Sequence, residues 1–294
     1  MKKIFILTLL LSAALFAKIN VVTSYPYLAK ITEQIGGSAV HVTALAPARM
    51  DPHFIVPKPS LIPKLSRADL LVINGAGLEI GWLPPLLKRA NNAKINPGSA
   101  GFADASKAIR LIDKPKTVSR AYGDVHPDGN PHFVTDPHSL IPVAKLIAMK
   151  LAQIDPAHKA VYQKNLSLFL QQWRSFLKEF DKQMRSCRGK KVVQYHELYN
   201  YLLKRYGIRS MATLEPLPGI SPSSRHTMKV IGIIKSNHIQ TILQDPYHEK
   251  KTARFIAQKT AAKVVVLPQD TGAVKGTDTL KRFYQVISER LCQQ

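Results

Sequence analysis

Residues 156–188 read PAHKAVYQKNLSLFLQQWRSFLKEFDKQMRSCR. Within this stretch Leu166, Phe169, Leu170, Trp173, Phe176, Leu177, Phe180 and Met184 recur at three- and four-residue spacing. That period lays them along one continuous apolar face of an α-helix. A helix of about 30 residues is roughly 45 Å long, more than a compact lobe needs. The segment is therefore expected to be a rigid strut between two lobes. Its aromatic stripe reads as core packing, not as a cofactor box.

On both sides of the strut, strands alternate with helices. Upstream, strands are expected at residues 18–24, 41–45 and 69–74, with helices at 27–35, 60–68, 80–89 and 136–151. Downstream, strands at 191–195, 210–214, 239–244 and 263–267 alternate with helices at 197–206, 226–236, 248–260 and 277–291. Such alternation predicts parallel α/β layers. The 294 residues suffice for two cores of ordinary size. The expected fold class is thus α/β: an N-terminal lobe over 18–151, the linking helix over 152–188 and a C-terminal lobe over 189–294.

The start of the chain has a different character. Lys2 and Lys3 precede an apolar run from Ile4 to Ala17, too short to span a bilayer. A charged start, an apolar core and a small residue at Ala17 read as a secretory signal peptide cleaved before Lys18. No Cys follows the run, so no lipid anchor is expected, and the mature chain is expected to be exported and soluble. Without Lys2 and Lys3, 40 basic and 19 acidic residues remain of the chain's 42 and 19, a formal charge of +21. Export and scattered lysines without aromatic interleaving (Lys58, Lys64, Lys88, Lys94) argue against a nucleic-acid partner. In an oxidising compartment a Cys187–Cys292 disulfide is plausible, tying the end of the strut to the C-terminal helix.

Three histidines stand in turn-rich settings: Asp51-Pro52-His53-Phe54, Asn130-Pro131-His132-Phe133 and Gln194-Tyr195-His196-Glu197. They are too far apart in the chain for a local zinc finger, so a shared site must be assembled by the fold. Each lies at a strand end or in a loop after one, where open α/β sheets bind ligands. Neutral imidazoles gathered in this way are the usual nitrogen ligands of a divalent ion such as zinc. His126 reads as a surface loop residue, with a weak second metal contact as the alternative. Glu197 is a candidate hydrogen-bond partner for a ligating imidazole, and Glu215 reads as a lobe-packing residue.

Six motifs, in order, resemble the solute-binding proteins of bacterial ABC importers for zinc and manganese. They are Asp51-Pro52-His53-Phe54 with Lys58-Pro59-Ser60, the run from Ala68 to Glu79, and Gly129-Asn130-Pro131-His132-Phe133 with Asp136-Pro137. Tyr195-His196, the run from Glu215 to Ser223 and the run from Ala262 to Pro268 complete the set. The resemblance implies two pseudo-symmetric α/β lobes joined by one long helix, with a metal site in the cleft between them. It implies His53, His132 and His196 as ligands, with Asp270 in the place of a fourth; water and Asp245 are the alternatives there. A third His, where manganese-type members often carry Glu, tilts the choice to Zn2+ over Mn2+. The implied partner is an inner-membrane ABC permease, and the implied protein is a monomer without enzymatic activity. Two other readings of three histidines are a secreted zinc hydrolase, for which no His-Glu-x-x-His helix is present, and a host-surface adhesin.

Overall fold

The computed structural model describes residues 18–115 and 126–292. The expected signal peptide lies outside the described residues, as does the segment 116–125.

The first lobe runs β1 (Ile19–Thr23), α1 (Pro26–Gly36), β2 (Val40–Ala44), α2 (Ile62–Ser66), β3 (Leu70–Ile73), α3 (Leu83–Ala90), β4 (Phe102–Asp104) and α4 (Leu140–Ile154). Its four strands pair in parallel in the order β2-β1-β3-β4. The unbroken apolar run Leu70-Leu71-Val72-Ile73 suits an interior strand, because helices cover both faces of a parallel sheet. Helix α1 opens on Pro26 in its first turn, where a missing N–H costs nothing. It stops at Gly37, whose φ of 56° lies in the left-handed region that a residue with Cβ rarely adopts.

Helix α5 (Lys159–Met184) follows, 26 residues flanked by 3-10 turns at Pro156–His158 and Arg185–Cys187. The expected apolar face is the face it buries: Tyr162, Phe169, Trp173, Leu177, Phe180 and Met184 are all enclosed. It packs on α1 and α4 of the first lobe and on the last helix of the second. Trp173 sits between them. Its ring stacks on Phe169 at 5.7 Å and meets Tyr284 edge-on at 5.7 Å, while its indole N–H donates to the Pro137 carbonyl at 2.9 Å. One hydrophobic cluster thus runs from the first lobe through the strut into the second. A hinge would have to break that continuity.

The second lobe repeats the plan with β5 (Lys191–Gln194), α6 (Asn200–Arg205), β6 (Arg209–Thr213), α7 (Ser224–Ser236), β7 (Thr241–Gln244), α8 (Lys251–Lys259), β8 (Lys263–Val266) and α9 (Leu280–Cys292). Its strands are parallel in the order β6-β5-β7-β8, the counterpart of the first sheet. In each sheet the first strand lies between the second and third, so the order reverses beside it. Carboxyl ends at that reversal form the crevice where such sheets bind ligands.

Several local features differ from the sequence-based expectation. The helices expected over 60–68 and 136–151 open as 3-10 turns (Pro59–Leu61 and Pro137–Ser139), and those expected from 80, 248 and 277 begin at Leu83, Lys251 and Leu280. Strand β4 is additional to the expected strands, since Phe-Ala-Asp is too short to carry a period; it forms because β3 leaves an open edge. The helix expected over 197–206 is a 3-10 turn (Glu197–Tyr199) followed by α6. Cys187 and Cys292 are disulfide-bonded with Cα atoms 5.2 Å apart, joining the end of the strut to the last turn of α9. Among the described residues no helix is long and apolar enough to cross a membrane.

Candidate metal centre

His53 lies on the loop after β2. His132 immediately precedes a 3-10 turn (Phe133–Thr135), its backbone N–H donating to the Asn130 side-chain oxygen at 2.9 Å. His196 comes two residues after β5, in extended backbone. Asn130 also reaches across the cleft, donating from Nδ2 to the Glu197 carbonyl at 2.8 Å, which seats the His132 loop against the His196 turn.

The fold brings the three imidazoles together: one ligand-capable nitrogen from each lies within 4.8 Å of the other two. Their ring centroids are 5.0, 5.3 and 5.2 Å apart, and every pair is edge-on, at 71°, 78° and 84°. The Nε2 atoms of His132 and His196 stand 3.3 Å apart. With Zn–N bonds of about 2.0–2.1 Å, tetrahedral geometry requires a nitrogen–nitrogen separation of about 3.3 Å. The His132–His196 pair therefore has the spacing that a single bound ion demands, and the His53 nitrogen lies within 4.8 Å of both. His132 and His196 are buried, and His53 is half-buried at the mouth.

Carboxylates hold the far sides of two rings. Asp51 Oδ1 lies 2.8 Å from His53 Nδ1, and Glu215 Oε2 lies 2.9 Å from His196 Nδ1. A proton on each Nδ1, donated to its carboxylate, leaves the Nε2 lone pair free to coordinate and fixes the ring's direction. His248 ties this support together. Its Nδ1 is 2.7 Å from Asp245 Oδ2, its Nε2 is 3.3 Å from Glu215 Oε1, and Tyr195 stacks on it at 4.2 Å. Burial opposes charge on both His248 and Glu215, but their hydrogen bonds prevail. His248 is raised to about 9, and Glu215, bonded to both histidines, is lowered to about 2. Burial, reinforced by the neighbouring imidazoles, holds His132 well below the usual histidine range, keeping it the neutral ring a metal requires.

The carboxylates expected near the ion take different places. Asp270 is outside the group of ligand atoms within 4.8 Å of one another. Its Oδ1 accepts from the Thr271 N–H at 2.5 Å and from Thr271 Oγ1 at 3.1 Å, and burial raises it to about 7. It shares with His132 a cavity of about 30 Å³ also lined by Tyr25, Tyr27 and Asn74. Asp245 is engaged by His248 and by the backbone N–H groups of Tyr247 and His248. Glu197 contributes its backbone carbonyl rather than a bond to His196. His126 is not the surface residue expected: it is half-buried with Nε2 3.2 Å from His53 Nε2, and burial lowers it to about 3.

Sequence reasoning passed over Asp51 and His248 and gave Glu215 only a packing role. Asp51 had a signal, standing two residues before His53 in the same motif. His248 had none, since of its partners only Asp245 is near it in the chain, while Glu215 and Asp51 come from other elements.

The profile of the family described as zinc-uptake complex component A, periplasmic (ZnuA) matches residues 21–292. The high-affinity zinc uptake system protein ZnuA of Bacillus subtilis is 27% identical over 256 residues, covering 85% of this chain and 78% of that one. The manganese ABC transporter substrate-binding lipoprotein PsaA of Streptococcus pneumoniae is 29% identical over 198 residues, 66% of this chain and 61% of that one. A crystal structure of ZnuA superposes with a TM-score of 0.76 at 26% identity, covering 93% of this chain and 99% of that one. The chain belongs to the zinc-uptake complex component A family, solute-binding proteins of metal ABC transporters rather than enzymes.

Proposed function

We propose that this protein captures Zn2+ on His53, His132 and His196 and delivers it to a cognate inner-membrane ABC permease. The observation that carries the reading is the convergence of three imidazole nitrogens within 4.8 Å, with the rings of His53 and His196 each backed by a carboxylate on Nδ1. Three nitrogens suit zinc, whereas manganese prefers an oxygen-rich sphere. Asp270 Oδ1 is engaged by Thr271, and the three histidines supply the selectivity. The protein acts in the periplasm as a monomer, brought there by the signal peptide of residues 1–17. The continuous core through the strut supports release of the ion by a small shift of the lobes, not by a wide hinge opening.

A manganese receptor of the same class is the second reading, favoured by the similarity to PsaA. Competitive titration of the metal-free mature protein with Zn2+ and Mn2+, on wild type and His196→Ala, separates the two. Tight one-to-one zinc binding that collapses in the variant is the expected result. A preference for manganese overturns the zinc assignment, and absence of tight binding by either ion overturns the receptor reading.

A further inference from the structure

A fourth imidazole stands at the mouth of the cluster. His126 Nε2 is 3.2 Å from His53 Nε2, and the two ring centroids are 5.2 Å apart, the same separation as within the three-histidine group. The protons on these rings are assigned by their other partners. His53 Nδ1 faces Asp51, an acceptor, so its Nε2 carries a lone pair. His126 Nδ1 lies against the Ala76–Gly77 backbone, 3.6 Å from where a Cβ on Gly77 would stand, and the ring is hydrogen-bonded to the Ala76 backbone. A proton on Nδ1, donated to the Ala76 carbonyl, leaves a lone pair on His126 Nε2 as well.

Two nitrogen lone pairs facing each other at 3.2 Å repel unless something electrophilic lies between them. That distance is close to the edge of a zinc tetrahedron, about 3.3 Å for bonds of about 2.0–2.1 Å. The backbone that meets His126 is itself specialised: Ala76 has φ 52°, between Gly75 at 81° and Gly77 at 81°. A residue with Cβ held in the left-handed region is uncommon, and such positions cluster at functional sites. The turn is held by Glu79, which accepts from the N–H groups of Asn74 and Gly75 at 2.7 and 3.1 Å. It thereby presents the Ala76 carbonyl to the histidine.

The geometry points to His126 as the fourth zinc ligand, completing a four-nitrogen site with His53, His132 and His196. This rests on the receptor reading above and adds a residue to it. His126 already meets His53 at ligand spacing, but its ring is 6.1 Å from that of His132, against 5.0–5.3 Å among the other three. His126 stands outside the group of nitrogens within 4.8 Å of one another, so coordination requires its ring to move towards His132 and His196. Asp270, bonded to Thr271, then stays out of the coordination sphere. An all-nitrogen shell also widens the discrimination against manganese.

Zinc K-edge X-ray absorption counts the imidazoles directly. Wild type, His126→Gln and Asp270→Asn, each loaded with one equivalent of Zn2+, are compared alongside chelator competition. Four imidazoles in wild type, three in His126→Gln with affinity reduced at least about 10-fold, and an unchanged Asp270→Asn spectrum are expected. Three imidazoles plus oxygen in wild type, unaltered in His126→Gln, overturn the assignment while leaving the receptor reading intact. A wild type that binds no zinc overturns the receptor reading, and this inference with it.

Discussion

Glu215→Gln tests whether the cleft works through its supporting carboxylates as well as its imidazoles. The Glu215 carboxylate is buried and shared, with Oε2 2.9 Å from His196 Nδ1 and Oε1 3.3 Å from His248 Nε2. The amide keeps the shape and offers one oxygen in place of two, without charge. Its nitrogen faces one of the two rings as a donor facing a donor. If the oxygen stays on His196, that ring keeps its direction but loses the negative charge that makes its Nε2 a stronger donor to metal. Removal of such a partner costs about 10- to 100-fold in metal affinity, or about 1.4–2.7 kcal/mol. The assay is zinc affinity by chelator competition in a double-mutant cycle with His196→Ala. If Glu215 acts through His196, Glu215→Gln weakens binding by that amount in the wild-type background. It then costs almost nothing further once the ring is gone. Wild-type affinity in the single variant, or an equal loss in the His196→Ala background, contradicts this account of Glu215.

Two further outcomes concern the metal-free protein. His248, at about 9 against an ordinary 6.5, contributes stability that is complete below about pH 6.5 and lost as pH rises through 9. Glu215, at about 2 against an ordinary 4.5, contributes stability that is complete above about pH 4.5 and lost as pH falls through 2. With chelator present, the difference in urea midpoint between wild type and His248→Gln should therefore shrink as pH rises from about 6.5 through 9; a difference that does not change with pH contradicts the assignment. The Cys187–Cys292 bond closes a loop of sequence separation 105, and its loss is expected to cost about 4.7 kcal/mol by the chain-entropy relation. Equal denaturant midpoints for wild type and Cys187→Ser with Cys292→Ser would show that the burial of α9 suffices without it.

Most of the architecture was legible in the chain. The apolar series on α5 needed no tertiary knowledge, because a 3.6-residue period is a local property and Trp173 and Phe180 have no alternative on that helix but the core. The alternation of strands and helices was equally local. Boundaries were less secure where propensity was divided. The chain enters the Glu197–Tyr199 turn tightly, with the Leu198 N–H bonding back to the His196 carbonyl at 2.7 Å, and regular helix begins only at Asn200. Strand β4 depends on a neighbouring edge, which no window of its own sequence contains.

Local pattern was enough for the element types, the two-lobed order and the three histidines worth watching. Each of those rests on periodicity or on a motif a few residues long. What surrounds the imidazoles came from the packed fold alone. Asp51 and Glu215 on the far nitrogens, His248 bridging carboxylates from both lobes, Asp270 bonded to Thr271 and His126 against His53 are positions that no single segment dictates. The reason is physical: a coordination sphere is a matter of tenths of an ångström between side chains that lie far apart along the chain. Packing of the two sheets on the shared strut sets those distances, and no local pattern encodes them.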